Sequence, residues 1–413
     1  MRMLKVELKR IIKSRQTMIL MLAGICLSAL LAAAPVLFVS ADVYDDNGKV
    51  QELNGLSAIR YWREITASSD GEVTPDKLKA ALSTYQEFVD KYGNPDSEDF
   101  PRDVYIEKIA PVNDLLRLLP VTYSDFVDGN LIPRGLTDID LDELDSFYEA
   151  CDTRLKNVIK VDREPESTNQ KAVSLYSQVD RPFELYAGYT RDAFDYLCFS
   201  IMFLVIIGAV LSAPLFSESY ESGADHILRC TKYGRGKLAR TKVAANMLPS
   251  ILIYVVGITV HLLISDLSFG TITLKTSVQA LYDTISLPNL NLFQLQIVLA
   301  VGGLLTLISV NAFTYFLSAK LERVAGTICI SLLAVLAPLF IFAAAGTNWI
   351  SSILPAGGIG LTNNLLIQLV DFRFLHLGSY SFWTPQVTML FTIIWIPVSL
   401  ILAVRSYCKH QVA

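Results

Sequence analysis

The chain has 413 residues, of which 52% are hydrophobic and only 18% charged, and its mean hydropathy of +0.41 excludes an ordinary soluble globular protein. Residues 41–191 hold about 30 acidic and 17 basic side chains, whereas the rest of the chain holds about 10 and 18. The acidic part argues against a nucleic acid partner, and the basic part suits loops beside an anionic membrane leaflet.

The first 16 residues are predicted to form an amphipathic helix at the inner membrane interface, with lysines and arginines beside a loose apolar face. That face comprises Met3, Leu4, Val6, Leu8, Ile11 and Ile12. A simple positively charged anchor explains the same residues equally well. The following apolar run resembles a secretory signal, but its length of about 23 residues exceeds a signal core. We therefore assign residues 17–40 to a first transmembrane helix.

Six apolar runs approach the roughly 20 residues that a membrane-spanning helix needs. They lie near 17–39, 193–215, 244–265, 292–318, 324–345 and 386–405. Lysine and arginine cluster in residues 1–16, in 216–242, after the fourth run and in the tail, which predicts that these segments and both termini are cytoplasmic. The fold prediction is an all-α polytopic membrane protein, with extracellular segments at 41–191, 266–291 and 346–385.

The extracellular domain (41–191) is predicted to be mainly helical. Its clearest helix begins after Thr74, with Pro75 in the first turn, and stops at Gly93. A turn-rich break follows over residues 93–103. A second helix is expected at about 140–159, and a third at 167–191 that continues into the second span. The aromatic side chains of the domain are expected in its core rather than on a binding surface.

The sequence contains no phosphate-binding GxxxxGK[ST], no HExxH, no GxSxG and no CxxC. We therefore predict no catalytic residue, no metal site and no bound cofactor in this chain. The spans are nearly free of charge, which argues against a proton-coupled transporter or a selective ion channel. His261 is expected to be a packing residue, and Asn246 and Asn311 are expected to form interhelical hydrogen bonds.

The segment at 216–242 is the most informative one. It opens with acidic residues (Glu218, Glu221, Asp225) and becomes basic from Arg229 to Lys242. Between these charges Ile227 and Leu228 offer a small apolar contact, and Gly223 and Gly234 permit sharp turns. A positive-inside loop explains the basic half but not the acidic start.

This segment resembles the first cytoplasmic loop of ABC-2-type transporter permeases. The residues that match in order are Phe216, Glu221, Gly223, Leu228, Arg235 and Lys242. The layout is also similar, with an interfacial N-terminal helix and short re-entrant helices within 346–385 before the last span. Residues 192–413 would hold spans two to six. The long segment between the first two spans is similar to the subgroup that carries a large extracellular domain.

The resemblance implies that energy comes from a separate cytoplasmic ATP-binding cassette ATPase, which would bind ATP and Mg²⁺. Two permease copies, or this chain and a paralogue, would pair in the lipid bilayer. The segment 216–242 would dock into the ATPase as a coupling element. The residues expected at that contact are Glu218, Glu221, Gly223, Ile227, Leu228 and Arg235.

The cargo path would run between the permeases along spans one, two and five. Its apolar walls favour export of an amphipathic or lipid-like cargo, such as an antimicrobial peptide, and a role in resistance at a bacterial plasma membrane. Two other readings stay open. The chain is alternatively a membrane-anchored extracellular peptide sensor without transport, or a membrane enzyme, although no catalytic constellation is present.

Overall fold

The structure is a computed structural model that describes residues 2–44, 50–95, 97, 99–127, 130–162, 164–231 and 233–410. Within these ranges six helices are long and apolar enough to cross a membrane. The six predicted spans are therefore confirmed. Lys232, which belongs to the basic cluster in the sequence, lies outside the described residues.

The chain begins with α1 (Arg2–Ile12), and the first spanning helix, α2 (Arg15–Leu37), follows almost at once. The first helix packs along the third spanning helix. Met3, Leu4, Leu8 and Ile11 are half-buried, whereas Val6 is 67% exposed. The amphipathic leader is thus a helix whose apolar face is shared between protein and surroundings.

A folded unit lies between the first and second spans and contains both short helices and antiparallel strand pairs. The strands pair as β1 with β2, β3 with β6, and β4 with β5. Its elements in chain order are β1 (Ser40–Tyr44), β2 (Val50–Asn54), α3 (Leu56–Thr66), β3 (Gly71–Glu72), α4 (Pro75–Tyr92), α5 (Arg102–Val104), α6 (Asn113–Leu116), α7 (Leu119–Thr122), β4 (Asp125–Val127), β5 (Asn130–Ile132), α8 (Phe147–Val161), α9 (Glu166–Tyr176) and β6 (Glu184–Leu185).

The best-defined helix of this unit is α4, which forms where the capping signals predict it. The Thr74 hydroxyl accepts a hydrogen bond from the Lys77 amide at 3.3 Å. Gly93 ends the helix at a φ of 87°, a conformation that favours glycine. Leu78 and Leu82 on its inner face are fully buried. These residues belong to an apolar core that continues from the domain into the spans.

Two predicted helix boundaries differ from the structure. The second helix starts at Phe147, because residues Leu141–Ser146 form a 3-10 segment. The third ends at Tyr176, so the expectation of a continuous helix into the second span was wrong. Pro182 lacks the amide hydrogen that a helix needs. The span restarts at Arg191 behind a Thr190 cap.

The second half of the chain holds the remaining spans and a strand pair that the sequence did not predict. Its elements are α10 (Arg191–Ser212), α11 (Pro214–Glu221), α12 (Ala224–Arg229), α13 (Gly236–Phe269), α14 (Val278–Leu281), α15 (Leu292–Lys320), α16 (Val324–Ala345), α17 (Trp349–Ile353), α18 (Leu365–Val370), β7 (Phe374–Leu377), β8 (Tyr380–Trp383) and α19 (Thr384–Lys409). The spans are α2, α10 with α11, α13, α15, α16 and α19.

The segments between the spans gather at two ends of the helical bundle. At the domain end, the folded unit contacts residues 270–291 and 346–383, for example through Arg154 to Asp283 and Thr168 to Ser381. At the terminal end lie α1, residues 222–235 and the end of α19. Successive segments between the helices thus lie at opposite ends of the bundle, as expected for six spans.

Candidate functional site

The candidate site is the connector, which we define as residues 213–242, from the last part of the second span to the first part of the third. The part of it that lies outside both helices is shorter than the predicted loop 216–242. Helix α11 already occupies Pro214–Glu221, and α13 begins at Gly236. Only residues 222–235 lie outside these two helices, with α12 among them. The polar and charged residues of 216–221 lower the local hydropathy, so the apolar run ends before the helix does.

Gly223 sets the direction of the connector. It joins α11 to α12 with a φ of 70°, a conformation that L side chains adopt only at a cost. No other residue stands within 4 Å of where its Cβ would lie. The glycine is therefore required by the backbone turn and not by crowding.

The surface of the connector carries most of the residues that the sequence analysis selected. Glu218, Glu221 and Arg235 are exposed. Ile227 is 75% exposed, whereas Leu228 beside it is half-buried. One Glu221 carboxylate oxygen accepts a hydrogen bond from the Val324 amide at 3.2 Å, at the start of the fifth span. The connector thus presents an apolar tip among charges of both signs.

A buried ion pair holds α12 in place. The Arg229 Nε donates to Asp225, and the two side chains are only 8% and 3% exposed. Burial opposes the charge on Arg229, but the hydrogen bond and charge of Asp225 prevail and raise the pKa of the guanidinium above its usual value. Asp225 was predicted as part of an acidic surface, and the structure corrects this: its partner four residues later lies on the same helix face.

The same arginine attaches the connector to the end of the last span. Its Nη1 donates to the His410 carbonyl at 2.8 Å, and its Nη2 donates to the Tyr407 carbonyl at 2.6 Å. The guanidinium also lies 4.7 Å from the centre of the Tyr407 ring. Sequence reasoning missed this contact, because the partners are about 180 positions apart.

A small apolar core supports this attachment. It joins α11, α13, α15 and α19, and it comprises Leu215, Phe216, Ala239, Tyr315, Ala319, Ala403 and Tyr407. The Phe216 and Tyr407 ring centres are 4.7 Å apart. Phe216, which matched the family pattern in the sequence, is therefore a core residue and not part of the exposed surface.

The turn before α13 is tightly packed against α12. A Cβ on Gly234 would lie 1.7 Å from the Leu228 carbonyl oxygen, closer than any pair of nonbonded atoms can approach. The Tyr407 hydroxyl donates to the Gly234 carbonyl at 3.3 Å. The far side of the connector is thus fixed to the last span as well.

Two polar side chains attach the α11 region to neighbouring spans. Lys242 is 1% exposed, and its ammonium donates to the Ser219 hydroxyl at 2.7 Å. The Ser318 hydroxyl accepts from the Phe216 amide at 2.9 Å and donates to the Ala213 carbonyl at 2.7 Å. Lys242, which also matched the family pattern, is hence a buried link between α13 and α11.

Polar side chains inside the spans serve mainly to join helices. Asn246 accepts from the Tyr315 hydroxyl at 3.0 Å and donates to the Leu211 carbonyl at 3.1 Å, which confirms the interhelical hydrogen bond predicted for it. Among the described residues, Asn311 makes a long contact of 3.9 Å from its Nδ2 to the Met247 sulfur on α13. His261 is buried and shares a hydrogen bond of 2.8 Å with Ser200.

Metal chemistry has no candidate in the described ranges, where no group of three or more His, Cys, Asp or Glu side chains is arranged to hold an ion. The connector instead combines exposed charges with an exposed hydrogen bond to the start of the fifth span and with the Arg229 contacts to the end of the sixth.

The comparisons with known proteins agree with this geometry. The family model described as ABC-2 family transporter protein matches residues 1–412. No curated protein and no solved structure matches the chain. Since the match covers nearly every residue, the chain belongs to the ABC-2 transporter family.

Proposed function

We propose that this ABC-2 family member is the permease subunit of an exporter that moves an amphipathic or lipid-like cargo with energy from a separate ATPase. Membership of the family makes it a multi-pass transporter component and implies an ATP-binding cassette partner. Export, the class of cargo and the pairing of two permeases, identical or paralogous, are the further parts of this proposal.

The observation that carries the proposal is the connector. Its exposed surface includes the apolar Ile227 and the charged Glu218, Glu221 and Arg235, and Arg229 attaches it to the last span. A surface that combines an exposed apolar side chain with charges is typical of docking elements, because the apolar part excludes water and the charges set the orientation. We infer that the ATPase, which binds ATP and Mg²⁺, receives the connector.

The proposed orientation places the terminal end in the cytoplasm. The exposed basic side chains of α1, the connector and the end of α19 gather there, and such residues favour the cytoplasmic side. The folded unit would then be an extracellular domain. Between their charged ends, the spans that would line the cargo path carry hydroxyl and small side chains, which suits a cargo with a large apolar part.

The test is to isolate the affinity-tagged chain from its native membranes and to identify co-purifying proteins by mass spectrometry. We expect an ATP-binding cassette ATPase. Glu221→Lys with Arg235→Glu should reduce the recovered ATPase at least tenfold, because both charges at the docking surface are reversed. A matched control is Glu322→Lys, a charge reversal on an exposed residue between the fourth and fifth spans.

Equal recovery of the ATPase with the double variant and with wild type would contradict docking through the connector. Complete absence of any ATPase from the wild-type preparation would contradict the exporter. If the purified chain then still bound a peptide at the domain end, the sensor without transport would be the better account.

A further inference from the structure

A cleft of about 510 Å³ lies at the domain end, where the folded unit meets the spans. Val39 and Thr190 in its wall sit at the ends of the first and second spans, two residues after α2 and immediately before α10. Helices α3 and α6 supply the opposite wall through Ile59 and Asn113. The connector makes no use of this space, because it lies at the other end of the bundle.

Aromatic and aliphatic side chains dominate the lining of the cleft. The aromatic ones are Trp62, Tyr105, Tyr186 and Tyr189. Rings with one polar edge are characteristic of the boundary between membrane and water, and the position of the cleft beside the ends of two spans agrees with that depth. A pocket of this size with apolar walls and a few polar groups is the usual form of a ligand site.

The lining of the cleft carries two aspartates and two arginines. Asp114 and Asp192 line it, and neither forms an ion pair among the parts of the chain that the structure describes. Arg191 also lines it, but its Nε donates to the Leu281 carbonyl at 2.8 Å and its Nη2 donates to the Tyr282 carbonyl at 2.6 Å.

The second arginine of the lining is similarly engaged. The Arg117 Nη2 lies 3.4 Å from the carbonyl oxygens of both Ala280 and Leu281. Burial lowers the pKa of this guanidinium, and the charge of the nearby Asp114 opposes that shift. The surrounding domain adds an excess of acidic side chains, with about 30 acidic and 17 basic residues over 41–191. Such a field raises the local concentration of cations.

We propose that this cleft binds a cationic amphipathic peptide, with its positive groups at Asp114 and Asp192 and its apolar side chains against Trp62 and Tyr105. This inference deepens the proposed function and rests on it, since it assigns a charge and a place to the amphipathic cargo. Aromatic faces strengthen the same preference, because they attract ammonium and guanidinium groups. A ligand in this position would lie at the membrane boundary beside the first two spans.

The test measures binding to the purified full-length chain in lipid nanodiscs of zwitterionic phospholipid, without any ATPase. The probe is a fluorescent 14-residue amphipathic peptide of lysine and leucine, and its partner probe replaces every lysine with glutamate. We expect saturable binding of the lysine peptide alone. Asp114→Asn with Asp192→Asn should weaken it at least tenfold, and raising the salt from about 0.05 to 0.3 M should weaken it further.

The matched control is Glu87→Gln with Asp90→Asn, which removes the same charge from the exposed face of α4. A second variant, Asn113→Trp, fills the cleft without changing its charge and should also weaken binding. The proposal is overturned if the control pair weakens binding as much as the cleft pair, if the glutamate peptide binds equally well, or if the lysine peptide does not bind. Binding is read without the ATPase, so failure of the connector to dock would leave this result unchanged.

Discussion

The two ends of the bundle are attached to the spans in different ways. At the terminal end, the small connector is held by buried contacts between Arg229 and the backbone of the last span. At the domain end, a unit of about 150 residues rests on the loop after the third span through the Arg154–Asp283 pair and through an apolar core that continues into the spans. Asp283 is 37% exposed, whereas Asp225 in the connector is 3% exposed.

This difference in burial indicates that the connector is the more rigidly attached of the two. A buried charge without its partner is costly, so the connector has few alternatives to its observed position. The contact at the domain end includes a partly hydrated carboxylate, which tolerates separation better. We therefore expect displacements of the connector to reach the last span almost completely, whereas the Arg154–Asp283 pair itself can separate at lower cost.

The largest expected effect concerns the sides of the membrane on which the two ends lie. In a variant that keeps Cys230 as its single cysteine, a membrane-impermeant maleimide should label intact cells negligibly and permeabilised cells fully. Cys230 is exposed on the connector, so access to it depends only on the membrane. Labelling is read as a mass shift on a gel.

The matched protein lacks the six native cysteines and carries Glu87→Cys on the exposed face of α4. It should be labelled in intact cells to the same extent as in permeabilised ones. The reverse pattern for the two proteins would invert the proposed orientation, and labelling of both in intact cells would contradict an arrangement with the ends on opposite sides.

The second prediction removes the attachment of the connector. Arg229→Leu leaves the buried Asp225 without its partner, so we expect the protein to lose about 3–5 kcal/mol of stability. The melting temperature in detergent should fall, and less ATPase should co-purify. Arg229→Leu combined with Asp225→Asn should recover part of the stability, because no unpaired charge remains buried.

Arg240→Leu is the control for this variant, since Arg240 is exposed in the same basic stretch and, within the described part of the chain, donates to the Gly236 carbonyl of its own helix. Its effect should be within about 0.5 kcal/mol. If the two leucine variants melted at the same temperature, Arg229 would not be the attachment that the structure indicates.

Some of this architecture is predictable because it depends on local sequence. The six spans follow from runs of apolar residues, and α4 follows from its Thr74 cap, its Pro75 start and its Gly93 stop. Pro182 in the sequence already argues against a continuous helix over 167–191. The error there came from giving hydrophobic spacing more weight than a proline.

The attachment of the connector was not predictable from a single sequence. Asp225 and Arg229 have the spacing of an ion pair, but nothing nearby in the sequence indicates that α19 covers them. Asp225, which belongs to the acidic start of this segment in the sequence, is buried and pairs with Arg229. The hairpin β7–β8 was missed because its four-residue strands lie within 346–385, where the family resemblance implied short re-entrant helices.

The smallest expected effect lies at the domain end. Arg154 donates to Asp283 at 2.8 Å from Nη2 and to the Thr284 hydroxyl at 3.0 Å from Nη1, and its side chain is 8% exposed. Arg154→Gln should cost about 1–3 kcal/mol, less than the loss of Arg229, because water can reach the carboxylate that remains. Hydrogen exchange should accelerate over residues 278–291 and leave residues 222–235 unchanged.

Arg102→Gln gives the matched comparison within the same domain. Arg102 pairs with Asp42 at 3.2 Å, but both side chains are exposed, so this variant should be nearly neutral. Faster exchange in the connector of the Arg154 variant would show that the two ends are coupled more tightly than their contacts suggest. Unchanged exchange over residues 278–291 would instead mean that the hydroxyl contacts, such as the 3.1 Å pair of Thr122 and Thr284, suffice to hold the domain on the spans.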